Sequence, residues 1–236
     1  MKTHKYIFFV LILLHSLLFA QSNGLKHNSW QVGFTFGEIP ILSGSFKPGI
    51  TVGYHFNEYL MAEFTYQLKD YLQRDDESFN AVNIGFDGLI SSKETTGERM
   101  FVGLRYKLVD WSPYLTAGFV LNMNDVETIK YDVRERLIGN YNYDGNLEIV
   151  QTRETGFAPA FGFGYQYDFD NRISLNTSFA MAFLTDIATA KVDIKSDTEI
   201  SKSDLDLLKQ KMDDEYKSNF HNRYHIFNIG ITYKFN

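Results

Sequence analysis

Eight segments of this chain alternate apolar and polar residues, and the connections between them run long, short, long, short, long, short, long. Alternation on a two-residue period gives a strand one apolar face and one face of another kind. The segments cover residues 29–37, 49–56, 59–68, 100–108, 113–123, 155–167, 172–184 and 223–235. Three short turns on one side and four long connections on the other predict an all-β fold, an eight-stranded antiparallel up-and-down barrel. Both ends of the strand series then lie on the short-turn side.

The two faces differ in bulk as well as in polarity. In the first segment Trp30, Val32, Phe34 and Phe36 share one face, against Gln31, Gly33 and Thr35. In the sixth, Phe157, Phe161, Phe163, Tyr165 and Tyr167 oppose Gly156, Ala158, Ala160, Gly162 and Gly164. Glycines 33, 53, 103, 118, 162, 164 and 230 all fall on the small, polar face. A β-sandwich would put its bulk inside and its polar face outside. A narrow barrel has little interior room, so its small face points in and its aromatic face points out. Aromatics make up 16% of the chain while mean hydropathy is −0.25. That combination excludes a bundle of membrane helices and suits strands with only alternate residues in lipid.

Residues 1–20 read as a targeting segment. Lys2 and Lys5 precede an apolar run over 6–19, and Ala20 offers a small residue before Gln21. The expected domain is therefore 21–236. No cysteine is present, which excludes disulfides, thiolate metal sites and cysteine nucleophiles.

The long connections carry the charge. Beyond residue 20 there are 21 basic and 29 acidic residues, and the four long connections hold 24 of those acids against 15 bases. This excludes nucleic acid as a partner. The connection 69–99 contains Asp75-Asp76-Glu77 and an apolar stretch, 82–90. That stretch reads as an extension of the sheet above the membrane; as a membrane strand it would require a tenth to keep the count even. In 124–154, Asn140, Asn142 and Asp144 begin like a calcium loop, although Asn stands first and Gln151 stands twelfth. Asp144-Gly145 reads better as a hairpin turn. Residues 203–220 read as a helix, with Leu205, Leu208, Met212 and Tyr216 at helical spacing and Ser203 with Asp206 as its cap. It is expected to pack its apolar stripe on the barrel mouth; the other reading is a lid or partner-binding helix.

The closing strand Ile229-Gly230-Ile231-Thr232-Tyr233-Lys234-Phe235 and the hairpin from Phe161-Gly162-Phe163-Gly164-Tyr165 to Leu175 resemble those of the small outer-membrane barrels, the OmpA-like and OmpW-like class. The resemblance implies a location in the outer membrane of a Gram-negative-type bacterium and contact with outer-membrane lipid. It also implies recognition of the C-terminal strand by the barrel-assembly machinery. Two roles follow from it: a packed structural or surface-interaction barrel, or for the OmpW-like branch a narrow channel for small hydrophobic molecules.

Few ionisable residues fall on the inward face: His55, Glu63, Arg105, Lys107 and Lys234. Glu63 and Arg105 sit at similar heights on consecutive strands and are expected to pair inside the barrel, with Lys107 nearby, because an unpaired charge there is costly. Enzyme readings fail on inventory. His27, His55, His221 and His225 have no Ser or Asp that the spacing places beside them, so a lipid-modifying enzyme is the distant reading. The expectation is a monomer without catalytic role, cofactor or metal, acting through its long acidic connections on a surface partner. A small hydrophobic ligand belongs to the channel reading.

Overall fold

In the computed structural model, residues 29–37, 47–74, 85–108, 113–169, 172–183, 190–219 and 223–235 are described. The expected targeting segment, His27 and His221 lie outside them, as do residues 82–84 of the apolar stretch in the first long connection.

Eight strands close a barrel: β1 (Ser29–Gly37), β2 (Lys47–His55), β3 (Leu60–Gln67), β6 (Arg99–Lys107), β7 (Pro113–Asn122), β10 (Gly156–Asp168), β11 (Ile173–Phe183) and β13 (Arg223–Phe235). Every neighbouring pair is antiparallel, and β1 closes on β13 through Trp30 opposite Phe235. Strand alternation behaves as the sequence requires. Phe34 is 69% exposed on the outer wall, while Gln31 is 0% exposed inside. Closure pairs the backbone groups around the ring, which an unsatisfied edge in hydrocarbon would forbid. Among the described residues no helix is long and apolar enough to cross a membrane.

The interior is too narrow to stay empty. Tyr114 is the largest fully buried side chain and lies against Gly164, where an added Cβ would stand 2.3 Å from its ring and hydroxyl. The glycine is what lets the tyrosine cross the lumen.

Beyond the long-connection end stands a second sheet that the sequence reading largely missed. Its strands are β4 (Asp70–Arg74), β5 (Leu89–Thr96), β8 (Asp125–Ile138), β9 (Tyr141–Arg153) and β12 (Lys191–Lys195), in the order β12-β9-β8-β5-β4. Four barrel strands join it across breaks of two residues: β3 into β4, β5 into β6, β7 into β8 and β9 into β10. The strand in the first long connection is Leu89–Thr96 rather than 82–90, and it extends the sheet outside the barrel, so the barrel count stays at eight. The connection 124–154 is a long hairpin, not a loop.

The hairpin turns at Gly139-Asn140, with Gly139 at φ +63° and Ile138 paired with Tyr141. This corrects the reading of Asp144-Gly145 as the turn. Those residues lie inside β9, opposite Glu135 and Arg134, just past a register shift between Tyr131 and Arg134. Asp-Gly is a strong turn signal, but burial of Ile138, Leu147 and Ile149 on one face sets the pairing instead.

One helix, α1 (Lys202–Asn219), covers the second sheet. Leu208 and Met212 are buried against Ile129, Tyr131, Ile138, Leu147, Ile149 and Val192. Each such side chain contributes about 1.5–3 kcal/mol. The apolar stripe thus packs on the sheet, not on the barrel mouth as expected. The cap is also two residues earlier than the sequence reading placed it. Ser201 Oγ accepts the Asp204 N–H at 3.2 Å and donates to the Asp204 carboxylate at 2.7 Å. The competing pair Ser203 and Asp206 lies in the first helical turns.

Candidate functional site

The short-turn end of the lumen is filled by polar side chains from all eight barrel strands. Arg105 on β6 donates to the Glu63 carboxylate on β3, and both are buried. Its other terminal nitrogen reaches Gln166 Oε1 on β10 at 3.1 Å. Gln166 Nε2 donates to Asp168 at 3.0 Å and to Ser174 on β11 at 3.3 Å. Asp168 closes the chain on β13 with Lys234 Nζ at 2.8 Å. Below the guanidinium lies the Tyr114 ring, 3.9 Å from ring centre to Arg105 Cζ, and the tyrosine hydroxyl donates to Asn176 Oδ1 at 2.6 Å. His55 Nε2 and Gln31 Oε1 are 3.0 Å apart across β1 and β2. The network therefore runs from β3 through β6, β10 and β13, across the bore.

The structure thus brings Glu63 and Arg105 together. Lys107 sits two residues further along the same face of β6, half-buried at the strand end, and the contact to Glu63 is made by Arg105. Tyr114, Gln166 and Asp168 were missed. Tyr114 and Gln166 were legible in principle as the bulky, inward members of otherwise small faces. Asp168 was read as the start of a turn, and in the structure it is the last residue of β10.

The middle and outer part of the lumen differs on its two halves. Phe101, Val120, Ala158, Ala160, Ala180, Ala182 and Ile226 form a buried apolar cluster on β6, β7, β10, β11 and β13. Opposite them lie Thr51 and Thr65, with hydroxyls 2.9 Å apart. At the outer rim Gln67 Nε2 on β3 reaches Asn228 Oδ1 on β13 at 2.7 Å, spanning β1 and β2. Lys47, fully buried, donates to the Gly97 carbonyl where β5 gives way to β6.

Outside the barrel, Asp204 joins the helix to the hairpin tip. It accepts from the Tyr143 hydroxyl at 2.5 Å, from Ser201 Oγ at 2.7 Å and from the Asn140 N–H at 3.0 Å. These bonds, the tyrosine first, hold its carboxyl below the usual aspartate range. In this geometry residues 140–144 form a turn and a strand, not the calcium loop that their spacing begins like. Asn140 is in the turn, while Asn142 and Asp144 are exposed on a strand, where residues two apart stand about 7 Å from each other and cannot wrap an ion. Among the described residues no group of three or more His, Asp or Glu is placed to hold a metal ion.

Comparison with solved structures finds the same architecture. Acinetobacter baumannii CarO aligns with a TM-score of 0.51 at 11% identity, over 87% of this chain and 97% of that one. CarO2 of the same organism aligns at 0.54 and 11% identity, over 89% and 100%. No curated protein sequence matches this chain. The family model described as "Outer membrane protein beta-barrel domain" matches residues 9–235. A closed eight-stranded wall, an apolar outer face and a match over nearly the whole length make this chain a member of the outer-membrane protein β-barrel domain family, located in the outer membrane.

Proposed function

We propose that this protein is a non-conducting and non-catalytic barrel of a Gram-negative-type bacterium that works through its folded extracellular sheet, by contact with a surface partner. One observation carries this reading. The bore is crossed by the chain from Glu63 through Arg105, Gln166 and Asp168 to Lys234, and crossed again at the rim by Gln67 and Asn228. Water and ions would have to break charge-assisted bonds in a low-dielectric bore to pass. The long connections, meanwhile, are a helix-capped sheet with its own apolar core, which supplies a rigid surface. That surface is acidic, and it exposes Val133, Leu137 and Tyr141 near the hairpin tip. The same reading has the protein fold as a monomer in contact with outer-membrane lipid, delivered by the barrel-assembly machinery through β13.

A second reading, a channel for small hydrophobic molecules, is favoured by the apolar cluster from Phe101 to Ile226 on one half of the lumen. Planar-bilayer recording with the purified protein separates the two. The proposed reading expects no openings, and no loss of uptake of apolar solutes in a deletion strain. Stable openings, or an uptake defect rescued by the wild-type chain, would overturn it.

A further inference from the structure

The second sheet has one face covered by α1 and one face open. The covered face is the one that turns toward the bore. Asp125 stands on it and accepts from Asn122 Nδ2 at 3.4 Å, and Asn122 is fully buried inside the barrel. Asp125 also accepts the Gly97 N–H at 2.7 Å, while the Gly97 carbonyl takes Lys47 from the inner face of β2. The open face is therefore the outward one. Across the two-residue breaks it continues the lipid-facing wall of β3, β6, β7 and β10.

Most of the extracellular surface is acidic, but the corner of this open face at β4 and β5 is not. Leu68, 47% exposed, is the last apolar residue on the outer wall of β3. Exposed Lys69 follows it, with Nζ 6.0 Å from the centre of the Tyr71 ring, and Tyr71 is 67% exposed. The register sets Tyr71 opposite Thr95, and Gln73 opposite Lys93, which is also exposed. Asp70 and Glu94 stand on the covered face instead. Among the described residues no carboxylate pairs with Lys69 or Lys93, Glu98 in the β5–β6 break included. Asp75, Asp76 and Glu77 follow β4 in sequence and lie outside the described residues. The opposite corner is neutralised within itself. Glu154 takes Lys191 at 2.5 Å, and Glu148 takes Lys130 at 2.7 Å and Lys195 at 3.5 Å, with Asp193 between the two β12 lysines.

We propose that this corner binds the phosphorylated glycolipid of the outer leaflet, with Lys69 and Lys93 on its phosphates and the Tyr71 ring against its sugar. A strand rises about 3.3 Å per residue, so Tyr71 stands about 10 Å along the strand beyond Leu68, and the row of Lys93 about 7 Å further. Tilt shortens both heights by about a quarter. The polar layer on each side of a bilayer is about 5–8 Å deep, sugar headgroups reach beyond it, and lysine chains bend back toward it. The face continues the lipid interface, so the headgroup layer is its fixed neighbour. Two ammonium groups without an acid partner among the described residues complement phosphate as point charges. The site follows from the outer-membrane location and holds whether or not the bore conducts.

The test uses the full-length protein refolded in zwitterionic micelles and titrated with an acylated disaccharide bisphosphate. The same lipid stripped of its phosphates, and sodium phosphate alone, are the comparison probes. Binding affinity and amide exchange over β4 and β5 are the readouts. The bisphosphate is expected to bind and slow exchange there, and the other two probes to do neither. Lys69→Gln with Lys93→Gln should raise Kd at least tenfold, Lys69→Arg with Lys93→Arg should keep it within twofold, and Lys191→Gln with Lys195→Gln should do the same. Equal binding of the stripped lipid would mean acyl contact with the wall only, and would overturn the proposal. Equal protection by sodium phosphate would mean a free-anion site, and protection that grows with protein concentration in the absence of lipid would mean a second copy; either result would also overturn it.

Discussion

The guanidinium carbon of Arg105 stands 3.9 Å from the centre of the Tyr114 ring while the same guanidinium holds the Glu63 carboxylate. One cation is therefore fixed on two sides, by an aromatic face and by an opposite charge. Removing Arg105 alone strands Glu63 in the bore. Arg105→Met is expected to cost about 3–5 kcal/mol in urea unfolding from micelles. The double variant Glu63→Gln with Arg105→Met, which leaves no buried charge at that point, should recover most of the loss.

Tyr114 gives a second measurement of how the lumen is filled. Tyr114→Phe keeps the ring under Arg105 and removes only the donor to Asn176, so it should cost about 1–3 kcal/mol. Tyr114→Ala also opens a cavity and should cost about 3–5 kcal/mol. If the two variants unfold at the same urea concentration, the packing argument fails.

Gly139→Ala tests the hairpin tip. An L side chain at φ +63° is strained by about 1–2 kcal/mol, and the added Cβ would stand 2.2 Å from Asp204 Oδ1. Amide exchange should accelerate in α1 and the hairpin tip while barrel amides keep their protection.

Asp204 makes that same joint sensitive to acid. Its carboxyl is held below the ordinary 3.8, so the folded protein takes up this proton less readily than the unfolded chain. The stabilisation is complete above the ordinary value and disappears as pH falls through the lowered one. Exchange protection of α1 should thus be flat between about pH 5 and 8 and drop below about pH 4. In Asp204→Asn the helix should be less protected at neutral pH, and the acid-dependent step should shrink.

How much of this was legible follows from what each face touches. Barrel strands were readable nearly to the residue because lipid enforces a uniformly apolar outer face, as Phe157, Phe161 and Phe163 show. The second sheet has no such constraint. On β8 the buried side runs Asp125, Glu127, Ile129 and Tyr131, so acids and hydrophobes share one face and the alternation in hydropathy cancels. The cap at Ser201 was misplaced because two Ser-x-x-Asp pairs overlap in Ser201-Lys202-Ser203-Asp204-Leu205-Asp206, and only the tertiary contacts of Asp204 with Tyr143 and Asn140 choose between them. In the lumen, Glu63 and Arg105 were found because charges on an inward face are scarce. Gln166 and Asn176 were not, since a neutral amide on that face carries no such signal.

Because four barrel strands run on into the outer sheet across gaps of two residues, the exposed surface takes its alignment from the membrane wall. A residue gained or lost at the gap between Asn122 and Asp125 would turn the buried and open sides of β8 over together. Change on that exposed surface is channelled into substitutions on a constant frame. At Gly139-Asn140, where the hairpin reverses, a change of length would loosen the joint with Asp204 and leave the registers of the wall below in place.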